Sequence, residues 1–189
     1  MILKSSIRKS TFKAIYRLLD KVSPIDGDCG RLCSRACCDN ERALAASPGA
    51  QFGMYLLPGE EKLFARDEPW LTWTTERAED YDYPDSWHGD VYFAQCKSAD
   101  DCDRAMRPIQ CRTFPLAPYI DSHGAARLIL SPEKLPYICP LIGERYPLNK
   151  SFLKATHTVW KRLLKDPLIY DLIKKESERW NTRALDFIV

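Results

Sequence analysis

The stretch Asp28-Cys-Gly-Arg-Leu-Cys-Ser-Arg-Ala-Cys-Cys-Asp39 places four cysteines within ten residues. The chain of 189 residues has eight cysteines in all: Cys29, Cys33, Cys37, Cys38, Cys96, Cys102, Cys111 and Cys139. Cysteines that only fill a core do not recur at gaps of three residues, whereas thiolates are metal ligands, and a bound metal offsets the cost of bringing them together. The stretch therefore predicts a centre organised by metal, with disulfides and inert core thiols as the two alternatives.

The amino-terminal sequence helps to decide whether the cysteines are metal ligands, disulfides or inert core thiols, because it bears on the cellular compartment. No apolar segment of roughly 7–15 residues with a cleavage site follows it, and no stretch approaches the roughly 18 apolar residues of a membrane span. We therefore expect a cytoplasmic protein without a transmembrane segment, whose thiols stay reduced. Cysteines make up about 4% of the chain, below the ~8–10% of disulfide scaffolds. Metal ligation is thus favoured over disulfides.

The net charge of +2 conceals an uneven distribution. Residues 1–21 carry six basic residues against one acidic residue, whereas residues 60–103 carry thirteen acidic against four basic. No basic field covers the whole chain, so nucleic acid is an unlikely partner. The acidic and aromatic segment 79–88 is predicted to be an exposed connection, with a contact surface for a basic partner protein as the alternative. The basic helix at the amino terminus is predicted to be a solvated helix face, with an anionic surface as its alternative contact.

Hydrophobic periodicity predicts helices at both ends of the chain. Apolar residues recur at three- and four-residue steps near the amino terminus: Phe12, Ile15, Tyr16, Leu19 and Val22. The same spacing predicts a helix over 151–165 and a second over 168–180, with Asp166 as its N-cap and Pro167 at its first position. Strands are predicted at 52–57, 70–75, 91–94 and 126–130, and a short helix is predicted to begin at Pro58.

These elements predict one α+β domain, mostly helical, covering residues 1–189. Its irregular centre, residues 28–141, contains short strands and is held by metal. An amino-terminal helix within 1–23 and a carboxy-terminal helical pair within 147–182 flank this centre.

The order of the motifs resembles the YkgJ-like family of zinc- or iron-chelating cysteine-cluster proteins. Three elements carry the resemblance over about residues 28–118: the opening cysteine run, the pair Cys96-x5-Cys102, and Arg107-Pro-x2-Cys-Arg-x-Phe-Pro115. Leu57-Pro-Gly-Glu-Glu61 stands where that family has a turn followed by a glutamate. The opening gaps are three residues here and two in that family, so which of the first four thiols bind metal stays open. The chain also resembles the cysteine-rich part of flagellin lysine methylases.

Chemistry permits either zinc or an iron–sulfur cluster, because four thiolates satisfy a structural zinc or a 4Fe–4S cluster. All eight cysteines are candidate ligands, and they could fill two sites or one. Adjacent Cys37 and Cys38 point in different directions, which favours a cluster or a two-metal site over a single zinc. Arg107 and Arg112 are candidate cofactor-binding residues that would donate to thiolate sulfurs or screen their charge. Cys139 lies in an apolar setting that suits a spectator thiol as well as a ligand.

The motifs of common enzyme classes are absent. The sequence contains neither of the glycine-rich patterns that bind dinucleotides and phosphates, and no serine nucleophile elbow. The resemblance leaves two function classes open. The first is a metal-binding protein whose site is structural or serves electron transfer, sensing or metal handling. The second is an iron–sulfur-dependent enzyme that modifies a protein.

Overall fold

The computed structural model describes most of the chain: residues 4–39, 45, 53–65, 67–97, 104–135, 137–144, 146–180 and 185–188, without the side chain of Cys38. The described α-helices are α1 (Lys9–Leu19), α2 (Gly30–Cys33), α3 (Ile109–Thr113), α4 (Pro140–Gly143), α5 (Lys150–Leu163) and α6 (Pro167–Arg179). The strands are β1 (Gly53–Tyr55), β2 (Leu71–Arg77), β3 (Asp90–Cys96), β4 (Leu116–Ile120) and β5 (Ala126–Leu130). Short 3-10 helices cover Ala36–Cys38, Glu60–Leu63, Ala78–Asp80 and Arg104–Met106.

The predicted helices at both ends of the chain are confirmed, as is the α+β class. In α1, Phe12, Ile15 and Leu19 are buried, because their spacing places them on one face. At the start of α6, the Asp166 carboxylate accepts hydrogen bonds from the backbone N–H groups of Leu168 and Ile169, as an N-cap does. No helix among the described residues is long and apolar enough to cross a membrane.

The main hydrophobic core lies between α1, α5, α6 and the β4–β5 hairpin. Fourteen buried apolar residues form it: Phe12, Ile15, Leu19, Leu57, Ile109, Leu116, Ile120, Leu128, Phe152, Val159, Trp160, Leu163, Ile169 and Ile173. A fully buried side chain of this size contributes about 1.5–3 kcal/mol. The long helices therefore form a frame that packs by ordinary apolar burial, and "helical frame" below means α1, α5 and α6.

Two small antiparallel sheets complete the fold. The first has the order β1-β3-β2, and the second is the β4–β5 hairpin. The strands predicted at 70–75, 91–94 and 126–130 are confirmed, and so is the part of the 52–57 strand that the structure describes. Strand β4 was not predicted, because Pro118 within it is a residue that central strands exclude. In a two-stranded hairpin every strand is an edge strand, and this is where proline is tolerated.

The acidic segment 79–88 is an exposed connection whose charges are partly paired within the chain. Asp82 forms ion pairs with Lys175 and Arg179 of α6. At the other side of the segment, Arg77 forms ion pairs with Glu79 and Asp90. Because α6 supplies its own cations to this segment, the contacts attach the segment to the helical frame.

Candidate metal centre

The opening cysteine run does not continue as one helix. Helix α2 ends at Cys33, and Ser34 and Arg35 both adopt the left-handed conformation, with φ angles of 52° and 56°. Left-handed backbone is costly for residues other than glycine, at about 1–3 kcal/mol each. The chain then turns into the 3-10 helix that contains Cys37. Cys29, Cys33 and Cys37 therefore do not lie along the face of one helix.

A polar contact stabilises the beginning of this run. The Asp28 carboxylate accepts a hydrogen bond of 3.0 Å from the backbone N–H of Gly30 and lies 3.8 Å from the Nε of Arg35. The Arg35 backbone N–H donates to the carbonyl of Gly30 over 2.9 Å. These contacts close the loop locally, so that the cysteines project from a compact turn.

The thiols of the opening run lie near a cysteine from much later in the chain. Burial raises the pKa of the Cys139 thiol, and Cys33 and Cys37 raise it further through their charge. Similarly, burial raises the pKa of Cys29, and Cys37 adds to the shift. Cys139 therefore lies near the opening run, although its sequence setting had suited a spectator equally well.

Cys111 is positioned by a short helix that the sequence did not predict. Residues 109–113, between Pro108 and Pro115, form α3. The Cys111 sulfur lies 3.5 Å from the sulfur of Met54 in β1. A thioether and a thiol thus meet beside the sheet, a pairing that no local motif indicated.

One cavity of about 730 Å³ connects several of these sulfurs. Cys29, Cys37, Cys96 and Cys111 line it, and Met54 and Arg107 lie in its wall. Cys96 reaches the cavity as the last residue of β3, where it pairs with Leu71 of β2. The six cysteines whose side chains are described are thiols: Cys29, Cys33, Cys37, Cys96, Cys111 and Cys139. The remaining two candidate ligands, Cys102 and the side chain of Cys38, lie outside the described part of the chain.

The predicted arginines take two different positions. Arg107 is buried in the cavity wall, and its charge lowers the pKa of Cys29, opposing the larger effect of burial. Arg112 is fully buried and donates to the backbone carbonyl of Tyr16 and to Asp20. The described contacts of its side chain are with α1 and the residue that follows α1, and none of them is with a thiol.

A third arginine, Arg104, was not singled out from the sequence. Burial lowers its pKa, and the neighbouring Cys29 opposes this shift. Of the charged groups acting on the pKa of Cys29, Arg104 has the largest effect. Its spacing of three residues from Arg107 was the one signal in the sequence that could have identified Arg104 as a second cation near the thiols. Two cations therefore lie close to the thiols of the opening run.

Another part of the cavity lining is aromatic and acidic. Tyr55, Tyr83 and Trp87 form part of its wall, with Tyr83 stacked on Trp87 at a ring separation of 4.7 Å. Burial and the nearby Glu133 carboxylate raise the pKa of Glu176 to about 7. This part of the lining, called the aromatic and acidic chamber below, thus combines aromatic rings with a carboxyl group that titrates near neutrality.

The thiols are gathered but are not arranged as a closed ligand shell. Among the residues that the structure describes, no three His, Cys, Asp or Glu side chains are arranged to hold a metal ion. The three histidines also lie away from the cavity lining, and His88 instead has its Nδ1 3.7 Å from Glu79. Any metal site would therefore require local movement of the thiols or ligands from outside the described part of the chain.

Comparisons with family models, curated proteins and solved structures find no significant match to this chain. The resemblance to cysteine-cluster proteins accordingly stays a prediction based on motif order.

Proposed function

We propose that this chain is a metal-binding protein that holds zinc or an iron–sulfur cluster through cysteines at the thiol end of the cavity, by which we mean the part lined by Cys29, Cys37, Cys96 and Cys111. One observation carries the proposal. Sulfurs from the opening run, the end of β3 and α3 line the same cavity, and the charges of Cys33 and Cys37 in the opening run raise the pKa of Cys139. Apolar packing alone gives no reason for thiols from distant segments to converge.

The chemistry of the donor set fits such a group. Thiolates are the preferred ligands of structural zinc and of iron–sulfur clusters. Four thiolates carry a large negative charge, and the nearby guanidinium groups of Arg104 and Arg107 would partly neutralise it. Ligand sites that close only on metal binding are common, because a preformed site is costly without the metal. A bound metal would supply a cross-link between segments or, as iron–sulfur, an electron carrier.

The test is anaerobic purification followed by metal analysis and visible absorption spectroscopy. We expect at least one bound metal site per chain, with brown colour for iron–sulfur and no colour for zinc. Replacing Cys29 or Cys111 with serine should lower the metal content. Ser131→Ala, which alters the same cavity without removing sulfur, is the matched control and should leave it unchanged. A chain that carries no metal and takes up neither zinc nor iron under reducing conditions would contradict the proposal.

A second candidate function is an iron–sulfur-dependent enzyme that modifies a protein, in the manner of flagellin lysine methylases. The aromatic and acidic chamber favours it, because such a chamber next to the thiols offers room for a substrate group. The test is mass spectrometry of flagellin lysines after incubation with metal-loaded protein and a sulfonium methyl donor. Methylation that Glu176→Gln weakens would support this function, and unmodified lysines would argue against it.

A further inference from the structure

A buried carboxylate links three separate segments beside the thiol end of the cavity. Glu60 is 0% exposed. Its Oε1 accepts hydrogen bonds from the Tyr16 hydroxyl at 2.7 Å and from the Ile109 backbone N–H at 2.8 Å. Its Oε2 accepts from the backbone N–H of Leu57 at 3.1 Å. One side chain thus joins α1, the turn after β1 and the first residue of α3.

The other end of α3 is also joined to α1. The Arg112 guanidinium donates to the Tyr16 carbonyl over 3.3 Å, and its central carbon lies 4.6 Å from the centre of the Tyr16 ring. It also forms an ion pair with Asp20, directly after α1. Cys111 therefore lies between two attached positions, Ile109 and Arg112.

Both oxygens of Glu60 are occupied by these donors, so the side chain is not available as a direct ligand. Burial raises the pKa of Tyr16, and the Glu60 carboxylate adds to the shift, which keeps the hydroxyl protonated as a donor. Of the groups that Glu60 contacts, the Ile109 N–H belongs to α3 itself, and the Tyr16 hydroxyl and the Leu57 N–H belong to the two segments to which α3 is thereby attached. Its role therefore lies in the placement of Cys111.

We infer that Glu60, supported by Tyr16, is a positioning residue that holds Cys111 in register with the other thiols. This inference rests on the proposed metal-binding function and adds a dependence of that site on the amino-terminal helix. The partners of metal ligands commonly set ligand orientation, and their loss costs about 10- to 100-fold in metal affinity. Glu60 would act in this way through the backbone of α3.

The chain offers a matched control in a second buried carboxylate. Asp166 is 1% exposed and also accepts several hydrogen bonds, including one of 2.7 Å from the Ser6 backbone N–H. Like Glu60, it joins the amino-terminal segment to a later helix. It differs in that its hydrogen bonds lead to the start of α6 and not to a cysteine-bearing element.

The experiment compares Glu60→Gln, Tyr16→Phe and Asp166→Asn under reducing, anaerobic conditions. Glutamine keeps the volume of Glu60, but its NH₂ group replaces one of the two accepting oxygens. That NH₂ group would face an N–H or O–H donor and could not accept its hydrogen bond. Co²⁺ serves as the probe, and its thiolate absorption reports binding while circular dichroism confirms folding. We expect Glu60→Gln to weaken Co²⁺ binding about 10-fold or more. Tyr16→Phe should weaken it by less, and Asp166→Asn should leave it within about twofold of wild type while lowering the melting temperature.

A site-specific readout separates positioning from general loss of stability. In the wild type, Co²⁺ should protect both Cys111 and Cys29 from alkylation, as measured by peptide mass spectrometry. In Glu60→Gln, protection of Cys111 should fall while that of Cys29 persists. If Glu60→Gln does not fold, Tyr16→Phe carries the same test.

Two results would overturn the inference while leaving the proposed function intact. The first is wild-type Co²⁺ affinity with full protection of Cys111 in the Glu60→Gln or Tyr16→Phe variant. The second is a loss of Co²⁺ affinity in Asp166→Asn as large as that in Glu60→Gln, which would mean that both variants act through the general stability of the fold. A wild-type chain that binds no Co²⁺ would instead reject the proposed function, and this inference with it.

Discussion

The helical frame and the cysteine-bearing segments are held together by different means. The frame has helices of 11 to 14 residues whose apolar faces meet in the main core. The cysteine-bearing segments have helices of only four or five residues. They also contain the left-handed residues Ser34 and Arg35. Short helices are marginal alone, so these segments depend on polar contacts and, as we propose, on metal.

The difference indicates that two kinds of stability coexist in one chain. Apolar burial stabilises the frame in any redox or metal condition. The cysteine-bearing segments bury single apolar residues such as Ile109, but they are joined to other segments by the polar contacts of Glu60 and Arg112 and, as we propose, by metal. We therefore expect variants and conditions to separate the two regions.

The largest effect is expected from a substitution within the frame. Phe152 is 0% exposed in the main core. Phe152→Ala removes a ring and leaves a cavity, at a cost of about 3–5 kcal/mol in the free energy of unfolding. Urea denaturation should give the same loss with and without added metal. A loss that depends strongly on metal would mean that the frame and the thiol end are a single cooperative unit.

Metal removal should have the next largest effect. At a free metal concentration of about 100 times Kd, binding to the native state adds about 2.7 kcal/mol, and chelation should remove it. Hydrogen exchange should accelerate at amides of the thiol end, such as those of Leu32 and Arg112, while α5 stays protected. Unchanged melting and exchange after chelation would show that metal is no part of the fold.

A smaller effect is expected from the loss of a single candidate ligand near the opening run. Because the charges of Cys33 and Cys37 raise the pKa of Cys139, we expect Cys139→Ser to lower bound metal per chain as Cys33→Ser does. Metal analysis of the anaerobically purified variants measures this. Full metal content in Cys139→Ser, with loss in Cys33→Ser, would identify Cys139 as a spectator thiol.

The smallest effect is expected in the pH dependence of stability, through Glu176 in the aromatic and acidic chamber. The pKa of Glu176 is raised from 4.5 to about 7 by burial and Glu133, and Arg179 opposes the shift. A raised carboxyl pKa means that the folded state binds the proton more tightly than the unfolded state does. The contribution of Glu176 to stability is therefore fully present below about pH 4.5 and is lost as the pH rises towards about 7. Because solvent partly screens this half-buried group, we expect the free energy of unfolding to fall by only about 1 kcal/mol over this pH range. Glu176→Gln should flatten this part of the pH profile in thermal melts, and an equally steep profile would assign the effect elsewhere.

Local patterns predicted the frame well, because helix periodicity and capping act within a few residues. The apolar steps of α1 and the Asp166-Pro167 start of α6 are confirmed for this reason. The same rules failed at the thiol end. Helix α3 between two prolines is too short for its periodicity to be read, and β4 contains Pro118, which argued against a strand.

The sequence by itself determined the α+β class, the terminal helices and the candidate thiols, because these follow from composition and short-range spacing. Only the tertiary structure decided which groups meet. It brought Cys139 near the opening run, Met54 against Cys111 and Arg104 beside Cys29. It also directed Arg112 towards α1 and placed Glu60 between three segments. Such contacts join residues far apart in the chain, and their positions depend on how the elements pack, which no local pattern encodes.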